Sequence, residues 1–153
     1  MFVHLRLHSE YSIVDGTNRI EQVLQAASSD RQPALAITDL NNLFGAIKFY
    51  SQGRQTGVKP IIGAEVSVEG LGADPAQTQK MILLAMDHTG YQNLCELLAL
   101  GWTQHVVREQ SVLKWQWLED HHQGLILLSG AQAGSLGQAL LQKDETRARE
   151  IAL

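Results

Sequence analysis

The chain has 153 residues, a net charge of -4, and 44% apolar against 18% charged side chains. That is one ordinary soluble globular domain, long enough to bury roughly 70% of its unfolded surface. The acidic balance argues against a nucleic-acid surface in this segment, and the longest apolar runs fall far short of the roughly 20 residues of a membrane span. The single cysteine, Cys95, excludes an intramolecular disulfide and fits a reducing, cytoplasmic setting.

The chain opens on Phe2-Val-His-Leu-Arg-Leu-His8, which reads as a strand. Alternation is strict from Leu5 on, so Arg6 and His8 share one face. Ser9, Glu10, Ser12 and Asp15 follow at once, and a polar cluster at the carboxyl end of a strand is where α/β folds build sites. No basic region followed by an apolar stretch marks a secretory signal there.

Asn18-Arg-Ile-Glu21 has the form of a capping box, and Ile20, Val23, Leu24 and Ala27 keep helical spacing to about Ser29. Ala34 to Ile37 is a short apolar run closing on Thr38-Asp39, the look of a buried parallel strand. Asn41 or Asn42 is expected to cap the next helix, with Leu43, Ile47 and Tyr50 on its inner stripe and Phe44 and Phe49 flanking. Gly53 or Gly57 stops it.

Ile61 to Val68 is a third strand, led in by Pro60. Gly70 to Thr78 reads as a mobile, turn-rich loop, and Lys80 to Met86 as a fourth strand. Gly70-Leu-Gly72 within that loop lacks the following helix a phosphate-binding loop needs.

Thr89 is expected to cap a helix with Leu94, Leu97, Leu98 and Trp102 inward. The same periodicity makes Cys95 a small core residue and not a nucleophile. Gln104 to Gln110 has no clear period. Leu113 to Asp120 reads as a short helix bearing Trp115 and Trp117, best placed on the outside of the fold. His121 and His122 are neighbours that point apart, so a solvated turn fits them better than a metal pair. Leu125 to Ser129 is a fifth strand. Leu136, Leu140 and Leu141 mark a further helix, and Asp144 to Leu153 opens another with no stop signal, as at the front of a longer chain. The alternation of strands and helices predicts parallel βαβ units.

Several ordered blocks carry a family resemblance. They are Phe2 to Gly16, Ala34-Leu-Ala-Ile-Thr-Asp39, Asn42 to Tyr50, Gly57 to Glu65, Leu84-Ala85 with Thr89 to Leu94, and Gly124 to Gly130. In this order and at these intervals they resemble the amino-terminal PHP (polymerase and histidinol phosphatase) domain of bacterial replicative polymerase III alpha subunits. The likeness runs from Phe2 to about Gly137 and covers only the first part of that domain. It implies a distorted (β/α) barrel, TIM-like, of which residues 1–153 form the amino-terminal portion, with palm, fingers and thumb absent.

Metal-binding members of such a family hold ions at the strand ends through imidazoles and carboxylates. The resemblance places His-x-His at the first motif, where this chain has Arg6 and His8. It places Thr-Asp-His at the second, where Thr38-Asp39 is followed by Leu40. It places a histidine on the fourth strand where Lys80 stands. Asp15 and Glu65 are present. Arginine has no lone pair for a metal, and leucine has no donor at all. The implied pocket of Arg6, His8, Asp15, Asp39, Leu40, Glu65 and Lys80 is therefore expected to be vestigial. Arg6 and Lys80 would stand in for ions by pairing with Asp15, Asp39 and Glu65. His4 is expected to be structural.

No catalytic residue and no cofactor is expected within the segment; the weak candidates for any metal are His8, Asp15 and Glu65. The resemblance implies an inert scaffold for the polymerase and for a proofreading exonuclease subunit. DNA is met only through the parent protein, whose own polymerase chemistry uses magnesium. The rival expectation is a phosphoesterase or 3'-5' exonuclease using zinc or manganese in the same pocket. Exposed strand edges could make the segment dimerise.

Overall fold

Apolar runs and helical spacings place most elements close to where the sequence suggests. A computed structural model describes residues 2–69 and 78–152. In chain order the elements are α1 (Ile20–Ser29), β1 (Ala34–Ile37), α2 (Ala46–Thr56), β2 (Lys59–Glu69), β3 (Thr78–Ala85), α3 (His88–Gln104), β4 (Val106–Val107), β5 (Gln110–Ser111), α4 (Trp115–Asp120), β6 (Leu125–Leu128), α5 (Ser135–Leu141) and α6 (Glu145–Ala152). A 3-10 turn, Ala131–Ala133, precedes α5. The loop read from Gly70 lies outside the described residues up to Gln77, as does Leu153.

Four strands form one sheet in the order β1-β2-β3-β6. β1 and β2 are parallel, from Ala34 opposite Lys59 to Ile37 opposite Ile62. β2 and β3 are antiparallel, from Gly63 opposite Leu84 to Glu69 opposite Thr78. β3 and β6 are antiparallel as well. The α/β class holds, but the exclusively parallel arrangement is corrected. Residues 70–77 are too few for the crossover of a dozen or more residues that a parallel pair needs, so β2 returns directly as a hairpin. The described strands make an open sheet, an arc of the barrel that the resemblance implies.

Side-chain alternation splits β2 and β3 into two functions. Ala64, Val66 and Val68 of β2, with Met81 and Leu83 of β3, pack against Leu94, Leu97 and Leu98 of α3. The opposite face carries Glu65 and Ser67, paired across the ladder with Ile82 and Lys80. A second core joins Ile20, Leu24 and Ala27 of α1 to Leu35 and Ile37 of β1 and Phe49 of α2. These two cores fix both sides of the sheet edge where the polar residues gather.

Several local expectations are corrected. The segment from Phe2 to His8 runs parallel to β1 without a regular ladder. Ala36 N–H donates to His4 O at 3.0 Å and Thr38 N–H to Leu7 O at 2.9 Å. The chain thus advances from His4 to Leu7 while β1 advances only from Ala36 to Thr38, which inserts an extra residue as a bulge does. The orphaned Leu7 N–H takes the Thr38 hydroxyl instead, at 2.9 Å.

Asn18 does not cap α1; its amide donates to His8 O. Helix α2 starts only at Ala46, and Phe49 is its buried anchor, whereas Ile47 and Tyr50 are exposed. Asp87, not Thr89, caps α3 by accepting from Gly90 N–H. Cys95 is half-buried and stands outside the core. Trp102, Leu140 and Leu141 are exposed. The stretch from Val106 to Ser111 is a small hairpin. Among the described residues, no helix is long and apolar enough to cross a membrane.

Candidate functional site

The site is centred on Glu65, which β2 carries on the face away from α3. Its side chain is 7% exposed. One of its oxygens, Oε2, accepts from two cations: Arg6 Nε at 2.6 Å and His8 Nε2 at 3.2 Å. The alternation of the opening segment therefore does place Arg6 and His8 together. The other ring nitrogen of His8, Nδ1, meets Asp15 Oδ2 at 2.9 Å.

A tight loop turns Asp15 back onto His8. Ser12 N–H donates to Ser9 O and Gly16 N–H to Ser12 O. Ser12 Oγ then donates to Asp15 Oδ1 at 2.8 Å. A side chain at Gly16 would start 1.7 Å from Ser9 O, so the turn admits only glycine there. Glu10, from the same loop, pairs outside the site with Lys48.

The charges respond to this geometry. Burial alone would raise the Glu65 carboxyl, but hydrogen bonds from His8 and Arg6, reinforced by their charges, hold it at about 2. The hydrogen bond to Glu65 raises the His8 imidazole against the opposing effect of burial, with Asp15 adding to the rise. Asp15 is held below the ordinary carboxylate range: burial opposes this, and hydrogen bonds from Ser12 and His8 prevail. Both ring nitrogens of His8 face carboxylates, an arrangement that favours the protonated ring, a donor at both positions.

Asp39 and Lys80 lie in the same region but do not form the expected ion pairs. Asp39 is 1% exposed and accepts from Ser9 N–H at 2.6 Å and Ser9 Oγ at 2.8 Å. Burial raises its carboxyl, and the two Ser9 bonds offset part of that. Lys80 Nζ donates to Ser67 Oγ at 2.9 Å, the neighbour its ladder register provides. Burial lowers the Lys80 ammonium, while the charges of Glu65 and Asp15 pull it back up. Leu40 bridges to Glu65 through the backbone, and its N–H takes Ser12 Oγ at 3.2 Å.

Tested as a metal site, this donor set does not fit. Both ring nitrogens of His8 are already engaged by carboxylates, the guanidinium sits on the central carboxylate oxygen, and Leu40 contributes no ligand atom. His8, Asp15 and Glu65 do come together, but they are bonded to one another through both ring nitrogens of His8. His121 and His122 stand apart from the pocket, and His122 Nδ1 meets Glu119 O.

Sequence reasoning missed the neutral partners. Ser9 and Ser12 were visible in the polar cluster after the opening segment, and their spacing to Asp39 and Asp15 only emerges in three dimensions. Ser67 was recoverable from strand alternation, being two residues beyond Glu65. Asn41, seen only as a helix cap, is buried and bonded to β2.

An opening segment and sheet that gather strand-end carboxylates and a histidine define the class. The family model described as the PHP domain matches residues 4–153, and the chain belongs to that family. More particularly, it is 40% identical over 144 residues to DNA polymerase III subunit alpha of Vibrio cholerae, covering 94% of this chain and 12% of that protein. The subunit of the same name from Escherichia coli strain K12 is 40% identical over 142 residues, covering 92% and 12%. That from Pseudomonas aeruginosa is 37% identical over 150 residues, covering 98% and 13%. The chain thus spans about an eighth of the length of these relatives. Among solved structures, an amidohydrolase from Chromobacterium violaceum overlaps 62% of this chain and 32% of its own, with a TM-score of 0.47 and 22% identity.

Proposed function

We propose that this chain is the amino-terminal portion of the PHP domain of a replicative DNA polymerase III alpha subunit, acting as a scaffold without its own metal chemistry. The observation that carries this reading is the single oxygen of Glu65 shared by Arg6 and a doubly bonded His8. Charges that ions would neutralise in a metal-binding member are neutralised here by side chains, which hold the opening segment onto β2. The likeness to polymerase subunits along nearly the whole chain supports the parent protein's role in DNA replication. The same reading makes the remainder of the subunit and a proofreading exonuclease its partners, in the cytoplasm, with DNA reached only through the parent's magnesium-dependent polymerase.

The test is the metal content of protein purified without chelator. Less than a tenth of an equivalent of zinc or manganese is expected. A stoichiometric ion lost on Glu65→Ala would overturn the reading and restore the phosphoesterase alternative.

A further inference from the structure

The edge of β2 that carries the pocket is covered by two different stretches of chain. Up to Ile62 its neighbour is β1. At Glu69 its neighbour is Leu113, whose carbonyl accepts Glu69 N–H at 2.9 Å and whose N–H reaches Ser67 O at 2.8 Å. Between them the pairing thins out: Leu40 bridges to Glu65, whose N–H donates to Thr38 O at 3.3 Å and Asp39 O at 3.2 Å, and Ser67 N–H meets no backbone acceptor. Asn41 fills that gap. Its N–H donates to Glu65 O at 2.8 Å, and its side-chain Oδ1 accepts Ser67 N–H at 3.1 Å.

The remaining polar groups of Asn41 face the other way. Nδ2 donates to Ser111 O at 3.1 Å, and its carbonyl accepts Trp102 Nε1–H at 2.8 Å. Every hydrogen-bonding group of this residue is thus engaged, at 3% exposure. Its φ is +52°, a left-handed conformation that asparagine tolerates better than most residues and that aims the carboxamide at β2. A helix cap at this position would need none of this, and α2 begins five residues later at Ala46.

We infer that Asn41 is the positioning residue of the pocket: its backbone N–H holds the β2 backbone at Glu65, and its carboxamide takes the place of a further strand residue at Ser67. The side chains of those two residues hold Arg6, His8 and Lys80. The inference rests on the pocket reading proposed above. It adds a specific cause for the pocket's geometry, located at the backbone edge of β2 and not among the charges.

The test is NMR on the intact chain carrying Asn41→Gly, which keeps the left-handed backbone and removes the carboxamide. Amide exchange at Ser67 is expected to quicken at least tenfold while Leu83 and Leu97 remain protected, and the His8 ring resonances should shift. Asn41→Asp, which retains an acceptor for Ser67 N–H, should restore Ser67 protection. If Asn41→Gly does not fold, the comparison rests on Asn41→Asp against Asn41→Ser. Equal Ser67 protection in those two would overturn the inference, and protection in Asn41→Asp alone would support it. Unchanged Ser67 exchange in Asn41→Gly would also overturn it. Glu65→Gln separates the two levels. If that variant leaves the His8 ring unmoved, the pocket reading fails. If it moves the ring while Asn41→Gly does not, only the role of Asn41 fails.

Discussion

Replacing Glu65 by glutamine removes one charge at nearly constant volume, beneath two cations that converge on one oxygen. A carboxyl drawn from 4.5 to about 2 contributes at most about 3 kcal/mol near pH 6. Arg6 is 60% exposed, and solvent screening of that half of the arrangement brings the expected loss to about 2 kcal/mol. The pH dependence carries more information than the magnitude. Glu65 is depressed, so its contribution is present above about 4.5 and fades as pH falls toward about 2. His8 is raised, so its contribution is complete below 6.5 and is lost as pH climbs through its higher folded value. Together they give a maximum between roughly pH 5 and 6.5. Urea unfolding of the wild type and Glu65→Gln from pH 4 to 9 should show their largest difference in that interval. A difference that is flat with pH, or one smaller than about 0.5 kcal/mol throughout, would refute the reasoning.

Arg6→Ala should cost about 1 kcal/mol, and less in high salt, because Arg6 is largely exposed and His8 still holds Glu65. An unchanged urea midpoint at low salt would show that the guanidinium does not contribute. Lys80→Met should be neutral to within about 1 kcal/mol, since burial disfavours the ammonium and its hydrogen bond goes to a neutral hydroxyl. A loss above about 2 kcal/mol would instead assign Lys80 a carboxylate partner. Gly63→Ala should cost about 3 kcal/mol, because a Cβ there would sit 2.4 Å from Leu83 O and 2.7 Å from Leu84 Cδ2. A wild-type melting temperature for that variant would contradict the β2–β3 register.

The elements with strong periodicity or continuous apolar runs were legible in the sequence: β1, the body of β2, α1 and the inward leucines of α3. What the sequence concealed depends on where chain segments meet. The antiparallel return from β2 to β3 hinges on a connection too short for a crossover, and alternation alone does not report strand direction. The first segment alternates like a strand, yet the extra residue between His4 and Leu7 breaks its ladder. The stripe of α2 was misplaced because Ile47 and Tyr50 fit the helical period as well as Phe49 does, and only packing against α1 and β1 selects Phe49.

The site divides along the same line. Alternation put Arg6 and His8 on one face, and the family resemblance added Glu65 to them. Residue types did not reveal that Asp39 is served by Ser9 or Lys80 by Ser67. Hydroxyls hydrogen-bond a buried charge without neutralising it, and they leave no charge pattern to read. Asn41 was hidden for a related reason: asparagine before a helix suggests a cap, whereas its backbone conformation directs it to a strand.

The central claim is that His8 is an imidazolium committed to Glu65 and Asp15, with no lone pair free for an ion. The direct measurement is the 15N spectrum of the His8 ring at pH 6, with and without one equivalent of zinc. Both ring nitrogens protonated, and unmoved by zinc, is the predicted result. A neutral ring with one bare nitrogen that shifts on adding zinc would contradict it.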